Sequence, residues 1–263
     1  MNEYLAVCRE AVDDVRGVLA ELPTRTEREP VVGDGVGGDE TTAVDAAAER
    51  VILERLRAID GATVVSEEVG ELRGDGRLRI VVDPIDGSLN AKRGIPFFSL
   101  SIAVAEGETM NDVVFAYVYD FGSGEEWTAD RGGGARLNGA PLDAPRPKER
   151  IEILSFEATL TSLVAEQASS VVGLAHRLRI MGSLALSLCH LAAGRVDAVC
   201  SLKAARAVDI AAAQLLVREQ GLAIDLPEAP PFGAAPLDTE GRSRVVAAAT
   251  DEVCAELFAA LQR

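Results

Sequence analysis

The stretch Leu78-Arg79-Ile80-Val81-Val82-Asp83-Pro84-Ile85-Asp86-Gly87-Ser88-Leu89-Asn90 organises this chain. Its first five residues are apolar and largely β-branched apart from Arg79, which is typical of a strand buried on both faces. Two carboxylates three positions apart follow, and a glycine and a hydroxyl come directly after them. Acids bind hard cations such as Mg²⁺, and the free N–H groups of a turn that opens a helix attract anions. The stretch therefore predicts a place for a metal and a phosphate.

The same stretch also suits an ordinary turn, because Asp-Pro and Asp-Gly are common turn dipeptides. A buried strand does not need so many acids at its end, and this favours the metal site. Two adjacent glutamates, Glu67 and Glu68, follow a short strand predicted over residues 62–65. If the two strands are neighbours, Glu67 lies beside Asp83 and Asp86.

Length and composition limit the class of protein. The chain has 263 residues, of which 48% are hydrophobic, enough for a substantial globular core. No apolar run approaches the ~20 residues of a membrane span, and the start of the chain lacks the pattern of a signal peptide, so we expect a cytoplasmic protein without membrane contact. The cysteines have no CxxC spacing and are expected to be free thiols; they are Cys8, Cys189, Cys200 and Cys254.

The net charge of −16 argues against general binding to nucleic acid. The chain has only three lysines, so nearly all of its positive charge is arginine. Many acids, few lysines and abundant alanine resemble proteins of salt-loving archaea, in which high salt screens the repulsion of an acidic surface. An acidic bias in a GC-rich genome would give the same composition, so both interpretations stay open.

Helix and strand patterns alternate along the chain. Apolar spacing predicts helices over residues 3–21 and 41–58. Residues 97–137 predict an antiparallel meander of four strands joined by glycine-rich turns. Strands and helices alternate over residues 151–261. The pattern as a whole predicts a layered α/β architecture.

A proline-rich segment over residues 138–148 lacks apolar periodicity and is the predicted boundary between two lobes. The N-terminal lobe, residues 1–143, would carry the acidic motifs. The C-terminal lobe, residues 144–263, would complete the active site.

Residues 24–41 are polar and rich in glycine, and we interpret them as a mobile, solvated loop. Three acids of this loop, Asp34, Asp39 and Glu40, would approach a metal only if the loop folded over the acidic motifs. The pattern alone favours the solvated interpretation.

Two further acids occupy the first turns of predicted helices. Asp45 lies at the start of helix 41–58, where its charge suits the helix N-terminus. Asp209 lies in the first turn of a helix predicted over residues 206–220, whose remaining face is apolar. Each acid is either a capping device or a functional group, and the periodicity does not decide between the two.

The chain resembles the inositol monophosphatase superfamily of lithium-sensitive, Mg²⁺-dependent phosphatases. The matching segments occur in the family's order and at about its spacing, and they extend over nearly the whole chain: Ser66-Glu67-Glu68, Asp83-Pro84-Ile85-Asp86-Gly87-Ser88-Leu89-Asn90, Gly182-Ser183-Leu184-Ala185 and Ala207-Val208-Asp209. Residues 90–98 and 206–211 are similar to the archaeal branch of dual fructose-1,6-bisphosphatase/inositol monophosphatase enzymes. The resemblance implies an α/β (α+β) fold, a layered αβαβα sandwich of the inositol monophosphatase/fructose-1,6-bisphosphatase type, and a homodimer.

The resemblance also implies a set of metal ligands. Glu67, Asp83 and the carbonyl of Ile85 would bind a first ion. Asp83, Asp86 and Asp209 would bind a second. A third, weaker ion near Glu67 is implied as well, so we expect two or three Mg²⁺ ions, with Mn²⁺ as a substitute.

The expected catalytic residues are Glu67, Ser88 and Asp45. Ser88 stands where the family usually has threonine, and its hydroxyl, paired with Asp45, would orient the attacking water. The backbone N–H groups of Gly87 and Ser88 would hold the phosphate, and Ser183 would contact the substrate. Attack would be in line, without a phosphoenzyme.

The chain departs from the inositol-selective members at Leu202, where those members have a glutamate that contacts ring hydroxyls. Lys203 and Arg206 lie nearby and would meet a second phosphate, unless they are only surface charge and a helix start. This difference favours fructose 1,6-bisphosphate, in gluconeogenesis, over inositol 1-phosphate as the main substrate. A phosphatase for 3′-phosphoadenosine 5′-phosphate or NADP is the alternative, and a non-catalytic sugar-phosphate or metal-binding homologue is the alternative from another class.

Overall fold

The computed structural model describes residues 3–36, 40–145, 148, 150–157 and 160–262. The α-helices of this part are α1 (Glu3–Glu21), α2 (Arg25–Arg28), α3 (Ala43–Leu56), α4 (Ser88–Arg93), α5 (Thr161–Gln167), α6 (Leu184–Ala192), α7 (Ala207–Glu219) and α8 (Asp251–Ala260). The strands are β1 (Val31–Asp34), β2 (Glu40–Thr42), β3 (Thr63–Ser66), β4 (Gly70–Leu72), β5 (Arg79–Asp86), β6 (Ser99–Ala105), β7 (Val113–Asp120), β8 (Glu126–Asp130), β9 (Gly134–Leu137), β10 (Ala140–Pro141), β11 (Ile151–Glu157), β12 (Ala175–Arg179), β13 (Ala198–Ser201), β14 (Ala223–Asp225) and β15 (Val246–Ala248).

Two large sheets carry the fold. The first has the strand order β10-β9-β8-β7-β6-β5-β3-β4 and is antiparallel except for the parallel pair β3–β5. The run β6-β7-β8-β9 is the predicted antiparallel meander. The second sheet has the order β12-β11-β13-β15-β14, in which β11 is parallel to both β12 and β13.

The two sheets and the helices that cover them form five layers. The helices α1 and α3 pack on one face of the large sheet, and α6 and α7 fill the space between the two sheets. The outer face of the small sheet is covered mainly by α8, with apolar residues of α5 beside it. Strand β5 shows the pleat that makes this possible, since Ile80 and Val82 face α1 and α3 while Val81 faces the middle layer. The expected αβαβα sandwich is confirmed.

The middle layer explains the composition of α7. A helix that is covered on all sides is apolar all round rather than along one stripe. Ten residues of α7 are buried, from Ala207 to Val217 with Asp209 as the exception. Its many alanines fit the narrow space between two sheets, because a small side chain lets both sheets approach the helix.

Residues 24–41, interpreted as a mobile, solvated loop, contain regular secondary structure in their described part. The segment contains the short helix α2 and the two-stranded sheet β1–β2, in which Val31 pairs with Thr42 and Asp34 pairs with Glu40. β-Branched residues at both ends favour a strand even though β1 is exposed throughout. Asp39, the third acid of the expected loop, lies outside the described residues.

Other expectations concern the core and the chain's division. All four cysteines are buried free thiols, as expected. Each helix that the structure describes is too short or too polar to cross a membrane. The strands of the two sheets lie on either side of residue 143, but α6 and α7 pack against both sheets. The division into lobes therefore stays a prediction.

Candidate active site

The parallel pair β3–β5 brings the first acids together. Ser66 is paired with Val82, so Glu67, the next residue, comes beside Asp83. The pairing of β5 with β6 is regular up to Asp83 and then shifts before Asp86. Such an irregularity bends a strand and redirects its side chains. The neighbouring strands predicted from the sequence are confirmed.

Asp83 is the most deeply placed of these acids, with 2% of its surface exposed. Its Oδ1 accepts the N–H of Ile85 at 3.0 Å, which shapes the tight turn at the strand end. Burial, together with the charges of Glu67 and Asp86, raises the pKa of Asp83 well above its usual value. A cation beside this carboxyl would favour its ionised form.

Asp86 is held from the helix α6. Its Oδ2 accepts the hydroxyl of Ser183 at 2.5 Å and the N–H of Ala185 at 2.7 Å. Burial raises the pKa of Asp86 to about 7, although these two hydrogen bonds oppose the shift. Ser183, expected to contact the substrate, is instead buried and donates to Asp86.

Arg206 lies among the acids. Its guanidinium donates to Glu67 and lies 3.5 Å from Asp209 Oδ1. Burial and the charge of Asp209 raise the pKa of Glu67 to about 7, and Arg206 opposes that shift. The Arg206 side chain is only 8% exposed, so a second phosphate would meet it only by competing with these two carboxylates.

Asp45 and Asp209 use one oxygen each to cap their own helices. Asp209 Oδ2 accepts the N–H of Arg206 at 2.7 Å. Asp45 Oδ2 accepts the N–H of Thr42 at 3.2 Å and its hydroxyl at 2.5 Å. The other oxygen of Asp45, Oδ1, is buried without a hydrogen-bond partner. Both acids are thus capping residues, and Asp45 Oδ1 is left available as an acceptor.

The turn between β5 and α4 depends on Gly87, which has a φ of +94°. A Cβ at this position would lie 2.9 Å from the carbonyl oxygen of Gly182 and 3.1 Å from that of Phe97. Ser88 opens α4, and its hydroxyl donates to the carbonyl of Ile85 at 2.9 Å. The turn is thus a close approach of backbones that only glycine allows.

Ser88 and Asp45 were expected to act together on a water. They share no hydrogen bond in the described part of the chain. The Ser88 hydroxyl donates its one hydrogen to the Ile85 carbonyl, so its oxygen can only accept a further hydrogen bond. Both side chains are therefore acceptors as placed.

Helices α3, α4, α6 and α7 all begin at this site, at Ala43, Ser88, Leu184 and Ala207. The N-terminus of a helix carries a partial positive charge, and the effect is limited to its first turn. This arrangement offsets part of the repulsion among the acids and suits an anionic ligand.

Two buried acids that support the site were missed by the sequence reasoning. Glu49 Oε1 accepts the hydroxyl of Ser66 at 2.5 Å and the N–H groups of Glu68 and Val69, both at 3.2 Å, and so fixes the turn that carries Glu67. Its position four residues after Asp45, on the same helix face, was the available signal. Glu157, at the end of β11, had no such signal.

Asp34 and Glu40 are paired across the hairpin β1–β2, and both are exposed. Lys203 is exposed, and Leu202 is buried.

The donor set fits hard divalent cations, since the side chains that meet here offer oxygen ligands. Glu67 and Asp209 meet the guanidinium of Arg206, and burial raises the pKa of Glu67, Asp83 and Asp86. The unpaired Asp45 Oδ1 also lacks a partner. Among the described residues, no group of three or more histidine, cysteine or acidic side chains is placed so that it could hold a metal ion.

The site therefore consists of acids at the ends of two parallel strands, and these acids face helix N-termini in an αβαβα sandwich. The chain belongs to the inositol monophosphatase family, whose sequence model matches residues 4–263.

Curated relatives and solved structures agree. The fructose-1,6-bisphosphatase/inositol-1-monophosphatase of Archaeoglobus fulgidus is 34% identical over 250 residues, 94% of each chain. The Nus factor SuhB of Pasteurella multocida is 38% identical over 192 residues, 70% of each chain. The crystal structure of an inositol monophosphatase–fructose 1,6-bisphosphatase superposes with a TM-score of 0.86 at 26% identity and covers 98% of this chain and 100% of its own. The family supports a phosphatase that acts on small phosphate esters.

Proposed function

We propose that this protein is a Mg²⁺-dependent phosphomonoesterase of sugar phosphates. Its main substrate is fructose 1,6-bisphosphate, which it converts to fructose 6-phosphate, and it also hydrolyses inositol 1-phosphate. The observation that carries the proposal is the meeting of Glu67, Asp83, Asp86 and Asp209 beside the glycine turn at Gly87.

Two or three Mg²⁺ ions, or Mn²⁺ in their place, would neutralise the phosphate and acidify a water for attack. Glu67, Asp83 and the Ile85 carbonyl would hold one ion, and Asp83, Asp86 and Asp209 another. The chain's own part is to fix these oxygens: Ser183 and Ala185 hold Asp86, and backbone N–H groups hold Asp83 and Asp209.

The phosphate would sit against the N–H groups of Gly87 and Ser88, where the start of α4 favours an anion. Ser88 Oγ and Asp45 Oδ1 would each accept a hydrogen from the attacking water, since both are acceptors as placed. Such a water would donate both of its hydrogens and keep a lone pair for the phosphorus. We therefore propose attack in line with the leaving oxygen, catalysed by Asp45, Ser88 and Glu67.

The choice of substrate rests on the segment after β13. Leu202 offers no hydrogen bond to ring hydroxyls, and Lys203 lies exposed beside it. Lys203, and Arg206 once it is released from Glu67, would bind the second phosphate of a sugar bisphosphate. The names of the archaeal relatives, fructose-1,6-bisphosphatase/inositol-1-monophosphatase, support the same substrate class.

The homodimer, the cytoplasmic location, the role in gluconeogenesis and the need for high salt are also proposals. They rest on the family resemblance and on the net charge of −16.

The test is phosphate release in molar KCl, with and without Mg²⁺, from fructose 1,6-bisphosphate, inositol 1-phosphate, 3′-phosphoadenosine 5′-phosphate and NADP. We expect Mg²⁺-dependent release led by fructose 1,6-bisphosphate. At saturating Mg²⁺, Lys203→Ala and Arg206→Ala should raise the KM for the bisphosphate about tenfold, because a charge-assisted hydrogen bond contributes ~1.5 kcal/mol, and should change the KM for inositol 1-phosphate less.

Lys148→Ala is the matched control, since Lys148 is paired with Asp197 away from these acids. Equal changes for both substrates would remove Lys203 and Arg206 from phosphate binding. Preference for a nucleotide would overturn the substrate class. If the folded protein released phosphate from none of the four, an untested phosphate ester or the non-catalytic binding protein would be favoured instead.

A further inference from the structure

Glu157 is a buried acid that the proposed chemistry does not use. It ends strand β11 and is 6% exposed. Its Oε2 accepts the N–H of Gly182 at 2.9 Å, and its Oε1 accepts the hydroxyls of Ser155 at 2.9 Å and Ser187 at 2.6 Å. Every one of these donors is neutral. A buried carboxylate held without a cation is costly, so its position calls for a reason.

The segment that Glu157 holds runs directly into the acidic site. The next residue, Ser183, donates to Asp86, and so does the N–H of Ala185. The carbonyl of Met181 accepts the side-chain amide of Asn90 at 2.8 Å. Residues 181–185 thus form a clamp between Glu157 on one side and the β5–α4 turn on the other.

The clamp has little freedom of its own. Gly182 has a φ of +88°, and a Cβ added at Gly87 would lie 2.9 Å from its carbonyl oxygen. Glu157 is bound to the N–H of the same residue. Without that bond the Met181–Gly182 peptide would be held only through its carbonyl, by Asn90, and the two donors to Asp86 that follow it would lose one of their two supports.

We propose that Glu157 is a positioning residue that sets the divalent-cation affinity of Asp86 through Gly182 and Ser183. The inference rests on the proposed function in that Asp86 is a metal ligand. Both donors of the clamp bind Oδ2 of Asp86, which leaves Oδ1 for the ion. Residues that orient metal ligands in this way typically contribute 10–100-fold to metal affinity.

The test measures Mn²⁺ binding to the full chain by the electron paramagnetic resonance signal of free Mn²⁺. Asp86→Asn identifies the ions that depend on Asp86. Glu157→Gln cannot serve Gly182 and both serines as an ionised acceptor, and Glu157→Asp withdraws the carboxylate from Gly182. We expect each to weaken the Asp86-dependent binding by about tenfold or more.

Glu219→Gln is the matched control. Glu219 also accepts two glycine N–H groups, from Gly132 at 2.8 Å and Gly134 at 2.9 Å, but in the turn between β8 and β9. It should leave Mn²⁺ binding unchanged. Thermal unfolding in EDTA is measured for all variants, because a purely structural role would lower the melting temperature without changing the affinity of the folded protein.

Unchanged Mn²⁺ affinity in a folded Glu157 variant overturns the inference, as does wild-type binding that does not depend on Asp86. If Glu157→Gln does not fold, Glu157→Asp is measured in its place. Failure of the proposed function looks different: the wild type binds Mn²⁺ through Asp86 but hydrolyses none of the four esters. The effect of Glu157 on binding still decides the inference in that case.

Discussion

Asp45 and Asp209 divide their two oxygens between two tasks. In each, Oδ2 caps the helix that carries it, and Oδ1 is turned away from that cap. The hydrogen bonds at the helix N-terminus thereby restrict the rotation of the carboxylate. A group that binds a metal or a water must be held in this way. Under the proposed function, the same residue type at the same helical position would serve stability and chemistry together.

Replacing Asp209 separates the two tasks. Asp209→Asn keeps an oxygen that accepts the Arg206 N–H but loses the charge, so the melting temperature should stay close to that of the wild type. Asp209→Ala also removes the cap and should cost about 1 kcal/mol of folding stability. Both variants should lose at least about 100-fold in Mg²⁺-dependent turnover. Thermal unfolding and phosphate release check this, and an active Asp209→Ala would exclude the residue from metal binding.

The acids that a short motif contains were accessible from the sequence, and those that act across the chain were not. Asp83 and Asp86 stand three positions apart at the end of an apolar run, and Glu67 follows the strand before it. Glu157 meets Gly182 only after the small sheet has formed, so no spacing in the sequence marks it.

Among the elements, the turn from β5 into α4 is the most constrained. Two positive-φ glycines border α4, and their surroundings differ. Gly87, at the start, faces the carbonyls of Gly182 and Phe97, while Gly94, at the end, has nothing within 4 Å of an added Cβ. A comparison of alanine at the two positions therefore separates the cost of a positive φ from the cost of a steric clash.

Gly87→Ala should therefore destabilise the protein more than Gly94→Ala. Both variants take on about 1 kcal/mol for an alanine at positive φ, and Gly87→Ala adds a clash with two backbone oxygens. We expect at least about 2 kcal/mol in urea unfolding for Gly87→Ala, together with a raised KM for the phosphate ester. Equal destabilisation of the two variants would show that the backbones around Gly87 can separate.

Helices and strands were easier to predict from the sequence where burial gives them a clear apolar pattern. The meander and the middle-layer helices carry clear apolar patterns, because each is covered by other elements. The hairpin β1–β2 was missed, since its first strand is exposed throughout and its sequence is polar and glycine-rich. Strand β4, Gly70–Leu72, was too short to carry a pattern.

At the scale of the whole molecule, the buried acids make stability depend on pH. Burial raises the pKa of Glu67 and of Asp86 to about 7 in the absence of metal, against ordinary values of about 4.3 and 3.9. The folded state thus binds these protons more tightly than the unfolded state does. Their contribution to stability falls as the pH rises from about 4 and is fully lost above about 7.

In EDTA, the melting temperature should therefore fall between about pH 5 and about pH 8. Saturating Mg²⁺ should restore it, with the larger gain at the higher pH, because the ion replaces the protons. The general acidic surface also contributes, so Asp86→Asn is the control and should show a shallower fall. A fall as steep as that of the wild type would assign the effect to the surface alone.

The site draws on five separate parts of the chain: residues 42–45, 66–68, 83–90, 181–186 and 206–209. Contacts between such distant segments form late in folding, because closing the long loops between them costs conformational entropy before the contacts stabilise the chain. The middle layer, which supplies two of these parts, also has to be enclosed by both sheets. A nascent or partly folded chain would therefore lack the proposed metal site, and under that proposal binding of the ion would mark the completion of folding rather than its start.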